Sequence, residues 1–266
     1  MFKKQKELFV LFAFILMTAN AIAGEGGRVT LTPIINGQPA RIEYLSSINQ
    51  NQQVPLAIYF HGAGENQNSD FTNVESGSII NALIAQGYIV ATTATSGDGW
   101  GNQAEQTTYL NLYNHIKDKF QLSKIIFIAQ SMGGLSSLNL ISAKVIPVSA
   151  WYGIVAVTNL ANMYVTQPRF AGEIQSAYKF TSPSQYAVAT AGYDPNLKSA
   201  LNFAYCRYRA TASYSDTIVS RANNADLFFA KIVTLVPQAA IVTVTGDHGD
   251  KSGFIPQDVV NFFAIR

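Results

Sequence analysis

Residues 124–134 read Lys-Ile-Ile-Phe-Ile-Ala-Gln-Ser-Met-Gly-Gly. The apolar run is typical of a buried strand, and a helical pattern follows it over residues 134–143. A serine at a sharp turn between a strand and a helix exposes its hydroxyl at the end of the sheet. Small residues two positions before and after it let the two backbones approach closely. Ala129 and Gly133 occupy those positions, so Ser131 is a candidate nucleophile.

The usual form of this turn has glycine at the position of Ala129, so the motif is a variant that keeps a small residue there. The alternative is that Ser131 only caps the following helix. A helix cap does not require small residues on both sides of the serine after a buried strand. The nucleophile is therefore the preferred interpretation of Ser131.

Short β-branched runs alternate with longer amphipathic segments in the rest of the chain, which predicts an α/β fold: a mostly parallel sheet with helices on both faces. We predict strands at 29–35, 42–44, 55–60, 88–93, 124–129, 148–157, 208–212 and 241–245. We predict helices at 78–85, 104–120, 134–143, 223–235 and 256–263. Such repetition favours a doubly wound sheet within one domain over residues 24–266.

Residues 158–205 break this alternation, because they are rich in Tyr, Gln, Asn, Ser and Ala and contain three prolines. One interpretation is an inserted cap or an extended loop. The other is two further helices packed on the sheet, joined by loops. The sequence leaves both open.

A serine hydroxyl is a weak nucleophile until a neighbouring base accepts its proton. The sequence has three histidines. His115 lies inside the predicted helix 104–120, whereas His248 follows the last predicted strand in the stretch Thr-Gly-Asp-His-Gly, residues 245–249. Loops at the carboxyl ends of strands hold the catalytic groups of such sheets, so His248 is the predicted base.

His61 begins the stretch His-Gly-Ala-Gly, residues 61–64, directly after a predicted central strand. This stretch resembles the His-Gly-x-x turn whose backbone N–H groups face the oxyanion that forms when a carbonyl is attacked. We predict the amides of Ala63 and Met132 as those donors and a structural imidazole on His61, with a place for His61 at the edge of the substrate site. The alternative is a merely flexible glycine turn.

The base needs a carboxylate that fixes its tautomer and stabilises the imidazolium. Asp216 lies on a loop after the strand at 208–212 and between Ser131 and His248 in the chain, which gives the order Ser, Asp, His. Asp194 is the second choice. Asp226 in a helix and Asp247 beside the histidine are poorer ones.

Together these stretches, residues 61–64, 129–134, 215–219 and 246–249, resemble the α/β-hydrolase superfamily, and the resemblance spans nearly the whole chain. It is closest to small, single-domain bacterial serine hydrolases. The resemblance implies a sheet of about eight strands, with Ser131, Asp216 and His248 at one edge. The chain lacks an apolar lid and a disulfide framework, which disfavours a lipase that acts at an oil surface.

Trp100, in the loop after the strand at 88–93, is expected to overhang the same edge. It is a candidate wall of the substrate site, and packing of that loop onto the core is the alternative.

The chain begins with Lys3, Lys4 and Lys6, followed by an apolar run at 8–17 and the small-x-small sequence Ala-Ile-Ala at 21–23. This predicts a signal peptide over residues 1–23 and export to the periplasm or beyond, with an uncleaved anchor as the alternative. The remaining chain has a formal charge near zero and no basic cluster, so no nucleic-acid partner is expected. Its single cysteine, Cys206, cannot form an internal disulfide.

The sequence therefore predicts a serine hydrolase, a carboxylesterase acting through an acyl-enzyme on Ser131, with no metal or organic cofactor and no membrane span after cleavage. A serine peptidase, amidase or acyltransferase would use the same groups. A further alternative is a binding protein on an inactive hydrolase scaffold. The substrate is a small molecule or polymer with an ester or amide bond, and the oligomeric state stays open.

Overall fold

The central sheet is the main feature of the computed structural model, which describes residues 27–95 and 97–265. Nine strands lie in the order β1-β3-β5-β4-β6-β7-β8-β9, with β2 paired to β3 off this path. The strands are β1 Arg28–Leu31, β2 Ile34–Ile35, β3 Gln38–Leu45, β4 Gln53–Phe60, β5 Ile89–Thr93, β6 Gln121–Gln130, β7 Val148–Ile154, β8 Arg207–Ser213 and β9 Ala240–Val244. Strands β4 to β9 are parallel, and β1, β2 and β3 pair antiparallel at one edge.

Helices cover both faces of the sheet. The helices are α1 Ser69–Thr72, α2 Val74–Ala85, α3 Gln103–Lys117, α4 Gly133–Ala143, α5 Leu160–Thr166, α6 Pro168–Tyr178, α7 Tyr186–Ala189, α8 Leu227–Ile232 and α9 Pro256–Ala264. One apolar cluster joins the sheet to α3, α4 and α8, and a second joins it to α2 and α9. The predicted α/β fold class, a mostly parallel sheet between two helical layers, is confirmed.

The central strands have apolar residues on both faces because both faces are covered. On β4, Ile58 and Phe60 point into the first cluster and Tyr59 points into the second. On β6, Phe127 points into the first cluster and Ile128 into the second. A continuous apolar run was therefore a correct signal for these strands.

The structure corrects several predicted bounds. The strand predicted at 29–35 is interrupted before Pro33, which has no N–H to donate to a sheet, and it becomes β1 and β2. The strand predicted at 148–157 ends at Ile154, because Val155 has a left-handed φ of 41°. Helix α2 begins before the predicted residue 78, since the Asn73 side chain accepts hydrogen bonds from the amides of Glu75 and Ser76.

Helices α5, α6 and α7 and short 3₁₀ turns make up most of residues 158–205. A third apolar cluster joins α5 and α6 to Trp100, Met132 and Val157. These helices therefore pack over the carboxyl ends of the strands. The interpretation of this segment as a cap stays a prediction.

The predicted signal peptide, residues 1–23, lies outside the described residues. None of the helices in residues 27–95 and 97–265 is long and apolar enough to cross a membrane.

Candidate active site

Ser131 lies at a strained turn between β6 and α4. Its φ is +47°, a region that non-glycine residues rarely occupy. The turn is held on both sides, because the Ser131 amide donates to the Ile154 carbonyl (3.0 Å) and the Ser131 carbonyl accepts from the Val157 amide (2.8 Å). Backbone strain of this kind persists only where the surrounding structure fixes it, and it is concentrated at functional sites.

The glycines after Ser131 are required by close packing. A Cβ built on Gly133 would lie 2.7 Å from Phe60 Cβ and would collide with the Phe60 carbonyl. A Cβ on Gly134 would collide with the carbonyl of Val157. Helix α4 can therefore start directly against β4 and against the segment after β7 only without side chains at these two positions.

Three of the predicted residues form a continuous hydrogen-bonded chain. Ser131 Oγ lies 2.9 Å from His248 Nε2, and His248 Nδ1 lies 2.8 Å from Asp216 Oδ2. The Asp216 side chain is 1 % exposed and that of His248 is 19 % exposed. A base that reaches the hydroxyl, with a buried carboxylate behind it, is the arrangement that activates a serine.

The Asp216 carboxylate is fixed by its own loop. Its Oδ1 accepts hydrogen bonds from the amides of Ile218 (2.9 Å) and Val219 (2.7 Å), which leaves Oδ2 for the imidazole. Both oxygens of this buried carboxylate are therefore paired, as burial of a charge requires.

The other three candidate aspartates bind other groups. Asp194 accepts hydrogen bonds from the amides of Ala161 and Asn196, and burial raises the pKa of its carboxyl. Asp226 pairs with Arg221 at 3.0 Å. Asp247 accepts hydrogen bonds from the amides of Thr217 and His248 rather than from the imidazole.

The turn at residues 61–64 lies beside Ser131, since β4 and β6 are neighbouring parallel strands with Phe60 opposite Ala129. Within residues 27–95 and 97–265, the amides of Ala63 and Met132 donate to no protein group. Two free amides on the turns that flank a nucleophile could bind an oxyanion.

His61 has a structural position. Its side chain is buried, and Nδ1 lies 2.9 Å from the Gly62 carbonyl. An imidazole that binds its own turn agrees with a structural role. It does not fit the predicted place of His61 among the residues that touch substrate.

Trp100 is 1 % exposed and packs against Phe170 of α6, with ring centroids 4.9 Å apart. Its carbonyl accepts from the Tyr178 hydroxyl at 2.8 Å. The prediction that its indole forms a wall of the substrate site is corrected accordingly. Trp100 packs its loop into the third apolar cluster, in line with the alternative that this loop packs onto the core.

A cavity of about 430 Å³ lies between the loop that carries Trp100 and helix α6. Asp98, Glu105, Glu173 and Lys179 are among the residues that line it. One of its lining residues contacts the turn at residues 61–64, because Asp98 Oδ1 accepts a hydrogen bond from the Gly64 amide at 2.8 Å.

Helix α6 also contacts the loop of Asp216. The Gln167 side-chain amide, at the start of α6, donates to the carbonyls of Thr217 (3.0 Å) and Ile218 (2.9 Å). At the other end of α6, the Ala177 carbonyl accepts from the Asn102 side chain (3.0 Å). Helix α6 thus connects the loop that carries Asp216 with the loop that carries Trp100.

No group of three or more His, Cys, Asp or Glu side chains in the described part of the chain is arranged to hold a metal ion.

Comparison with solved structures identifies the fold. Carboxyl esterase 2 of the fungus Tuber melanosporum is 16 % identical, with a TM-score of 0.63 over 93 % of this chain and 87 % of that chain. Fluorophosphonate-binding serine hydrolase F of Staphylococcus aureus is 15 % identical, with a TM-score of 0.67 over 91 % and 98 %. The chain has the α/β-hydrolase fold. A prolyl endopeptidase matches at 13 % identity and a TM-score of 0.67, over 90 % of this chain but only 38 % of that one.

The sequence itself matches no family model, and it has no significant match among curated proteins. The likeness to solved structures at this identity shows the fold alone. The activity must therefore be argued from the site.

The sequence patterns do not identify the contacts of two polar residues near the site. They offer Asp247 only as a candidate acid, although it binds the backbone of the loop that carries Asp216. They do not point to Glu65. The available signal was its position three residues after Gly62, a spacing at which a Glu side chain can reach back to a backbone amide, as in a capping box.

Proposed function

We propose that this protein is an exported serine hydrolase that cleaves carboxylic esters through an acyl-enzyme on Ser131. The observation that carries the proposal is the chain from Ser131 Oγ to His248 Nε2 (2.9 Å) and from His248 Nδ1 to Asp216 Oδ2 (2.8 Å). Three residues from three separate loops meet here, beside two free amides. Such a constellation has a specific chemical use.

In the first half of the reaction, Ser131 Oγ attacks the ester carbonyl carbon while His248 Nε2 takes the hydroxyl proton. The carbonyl oxygen becomes an oxyanion, to which the amides of Ala63 and Met132 donate. Asp216 holds the imidazole by Nδ1 and stabilises the imidazolium. Collapse of the intermediate breaks the bond to the alcohol oxygen, which takes the proton from His248 and leaves as the alcohol.

In the second half, a water molecule replaces the alcohol. His248 removes a proton from the water as it attacks the acyl carbon, and the same amides bind the second oxyanion. When this intermediate collapses, the proton returns to Ser131 Oγ and the carboxylic acid leaves.

Two considerations favour an ester over an amide. The carboxyl esterase and the serine hydrolase above share the fold over most of their own length, as does a ferulic acid esterase, which is covered to 99 %. The prolyl endopeptidase has most of its chain outside the shared region. Separately, the cavity lined by Asp98, Glu173 and Lys179 supports a substrate that carries polar groups, because Asp98 also binds the turn at residues 61–64 through the Gly64 amide.

Hydrolysis of p-nitrophenyl acetate by the purified protein, compared with Ser131→Ala and Asp216→Asn, tests the proposal. Ser131→Ala should abolish turnover and labelling by a fluorophosphonate probe, and Asp216→Asn should lower kcat by about 10³–10⁴-fold through the wrong tautomer of His248. Turnover by Ser131→Ala at the wild-type rate would contradict the mechanism. A marked preference for amides over esters would contradict the substrate class. A folded wild type that neither turns over nor reacts with the probe would favour a binding protein.

Export is part of the proposal, and the basic start and apolar run before Gly24 support it. Amino-terminal sequencing of protein recovered outside the cytoplasm should begin at Gly24. An intact Met1 on cytoplasmic protein would contradict export.

A further inference from the structure

One carboxylate connects the turn that carries Ser131, here the nucleophile turn, with the turn at residues 61–64, here the oxyanion turn. Glu65 Oε2 accepts a hydrogen bond from the Gly62 amide at 2.7 Å, and its Oε1 accepts from the Gln130 side-chain amide at 3.1 Å. Gly62 precedes the oxyanion donor Ala63, and Gln130 precedes the nucleophile Ser131. Glu65 therefore bridges the residues directly before the two groups that must cooperate in the reaction.

Gln130 is fixed on its other side. The Tyr59 hydroxyl, at the end of a fully buried side chain on β4, donates to Gln130 Oε1 at 2.6 Å. The amide of Gln130 is thereby oriented with its NH₂ group toward Glu65. The chain Tyr59–Gln130–Glu65–Gly62 thus runs from the core of the sheet to the oxyanion turn, with each donor facing an acceptor.

The same turn aims the Ala63 amide. The Gly62 carbonyl lies 2.9 Å from His61 Nδ1 and accepts from the Glu65 amide at 3.3 Å. Because a trans peptide is planar, the C=O of Gly62 and the N–H of Ala63 point in opposite directions. A carbonyl held inward by His61 and Glu65 leaves the Ala63 N–H pointing away from that contact.

A carboxylate is the group that suits this position. Glu65 faces two N–H donors, one from Gly62 and one from Gln130, and an ionised carboxylate accepts on both oxygens. A glutamine there would turn its own NH₂ group toward one of the two donors. It would lose that hydrogen bond without any change in size.

We propose that Glu65 is a positioning residue for the oxyanion site: it holds the 61–64 turn against the nucleophile turn so that the Ala63 amide stays aimed at the developing oxyanion. This rests on the proposed hydrolase function. Loss of an oxyanion donor costs about 10²–10³-fold in kcat, and displacement of a catalytic group by about 1 Å can cost about 10²-fold. A loosened turn should therefore lower kcat by about 10–100-fold.

The test compares Glu65→Gln with Glu75→Gln, a matched change on the first turn of α2, where the carboxylate caps no group of the site. Kinetics on p-nitrophenyl acetate should show kcat of Glu65→Gln reduced by about 10–100-fold with KM within about threefold, since a misaimed oxyanion donor affects the transition state more than the bound ester. The acylation burst and the steady-state rate should both slow, because each half-reaction forms an oxyanion. Glu75→Gln should match the wild type.

A second pair of variants separates positioning from general loss of structure. Glu65→Ala and Gln130→Ala should each lower kcat, and the double variant should be little worse than either, since both break one chain of contacts. If Glu65→Gln does not fold, Glu65→Asp takes its place, with the same split between kcat and KM expected.

Wild-type kinetics for Glu65→Gln, or effects of Glu65→Ala and Gln130→Ala that simply multiply, would overturn the proposal. So would a kcat loss matched by an equal rise in KM. A wild-type protein without esterase activity or probe labelling would instead refute the hydrolase function itself, and it is detected before any Glu65 variant is measured.

Discussion

Asp247 Oδ1 accepts a hydrogen bond from the Thr217 amide at 2.8 Å and thereby joins the loop that carries His248 to the loop that carries Asp216. The same oxygen accepts from the His248 amide at 2.7 Å, and the Thr217 hydroxyl adds a further contact at 2.9 Å. Asp216 directly precedes Thr217, and His248 directly follows Asp247. The carboxylate–imidazole pair is thus backed by a second contact between the same two loops.

We expect Asp247→Ala to lower kcat on p-nitrophenyl acetate by about tenfold, because the two loops lose the contact that fixes their separation. Asp247→Asn should recover most of the activity, since its side-chain oxygen can still accept from both amides. Asp118→Asn, at an exposed position after α3, is the control. Equal losses in Asp247→Asn and Asp247→Ala would show that the charge matters rather than the contact.

The contact also has a defined pH range. Hydrogen bonds from Thr217 and His248 lower the pKa of the Asp247 carboxyl below its ordinary 3.8. For an acid with a depressed folded-state pKa, the contribution is present above the unfolded value and is lost as pH falls through the folded one. Above pH 4, the activity of Asp247→Asn should therefore depend on pH in the same way as that of the wild type. Parallel pH–rate profiles would check this.

The local patterns of the sequence predicted much of the fold and the spatial meeting of the triad. Buried strands such as β4 and β6 are continuous apolar runs, and Ser131 and His248 each follow a strand at its carboxyl end. In a parallel sheet those ends share one edge, so three motifs far apart in the chain could be placed together. The proximity of these distant motifs thus followed from the parallel arrangement of the strands.

The sequence could not predict features that depend on tertiary contacts. Helices α5 and α6 pack into the cluster with Trp100 and Met132, and this placement depends on contacts between residues far apart in the chain. The burial of Trp100 depends on α6, whose position no local pattern gives. Glu65 likewise acquires its contacts only when β4 and β6 are neighbours.

Close packing at the nucleophile turn predicts a large effect of one methyl group. Gly133→Ala places a Cβ 2.7 Å from Phe60 Cβ and against its carbonyl, both of which belong to a central strand that cannot move cheaply. We expect the free energy of unfolding to fall by about 3 kcal/mol or more, by overpacking. Denaturant unfolding followed by far-UV circular dichroism measures it.

The matched control is Gly172→Ala in α6, where an added Cβ meets nothing within 4 Å. Alanine is the better helix former by about 1 kcal/mol, so this variant should be slightly more stable than the wild type. Similar shifts of the denaturation midpoint for both substitutions would mean that the strand β4 yields at Phe60, contrary to the packing argument.

Asp70 provides a test of buried charge. Its side chain is buried, Oδ2 accepts from the Thr92 hydroxyl at 3.1 Å, and Oδ1 has no partner within the described residues. Burial raises the pKa of Asp70 to about 7, with the nearby Glu65 raising it and His61 and the Thr92 hydroxyl lowering it. The folded protein therefore keeps this proton through a pH range in which the unfolded chain has lost it.

The sign of the pH effect follows from that difference. Between about pH 4 and 7 the folded state binds more protons at Asp70 than the unfolded state does, so stability falls as pH rises through this window. Each pH unit crossed in this window lowers the free energy of unfolding by about 1.4 kcal/mol.

Asp70→Asn keeps a neutral acceptor for Thr92 and removes the titration. Its stability relative to the wild type should therefore increase from pH 5 to pH 8 in urea unfolding, whereas Asp118→Asn should show no such trend. Parallel stability curves for Asp70→Asn and the wild type would mean that Asp70 is already ionised in the folded protein at pH 5, with water or a rearranged His61 satisfying its second oxygen.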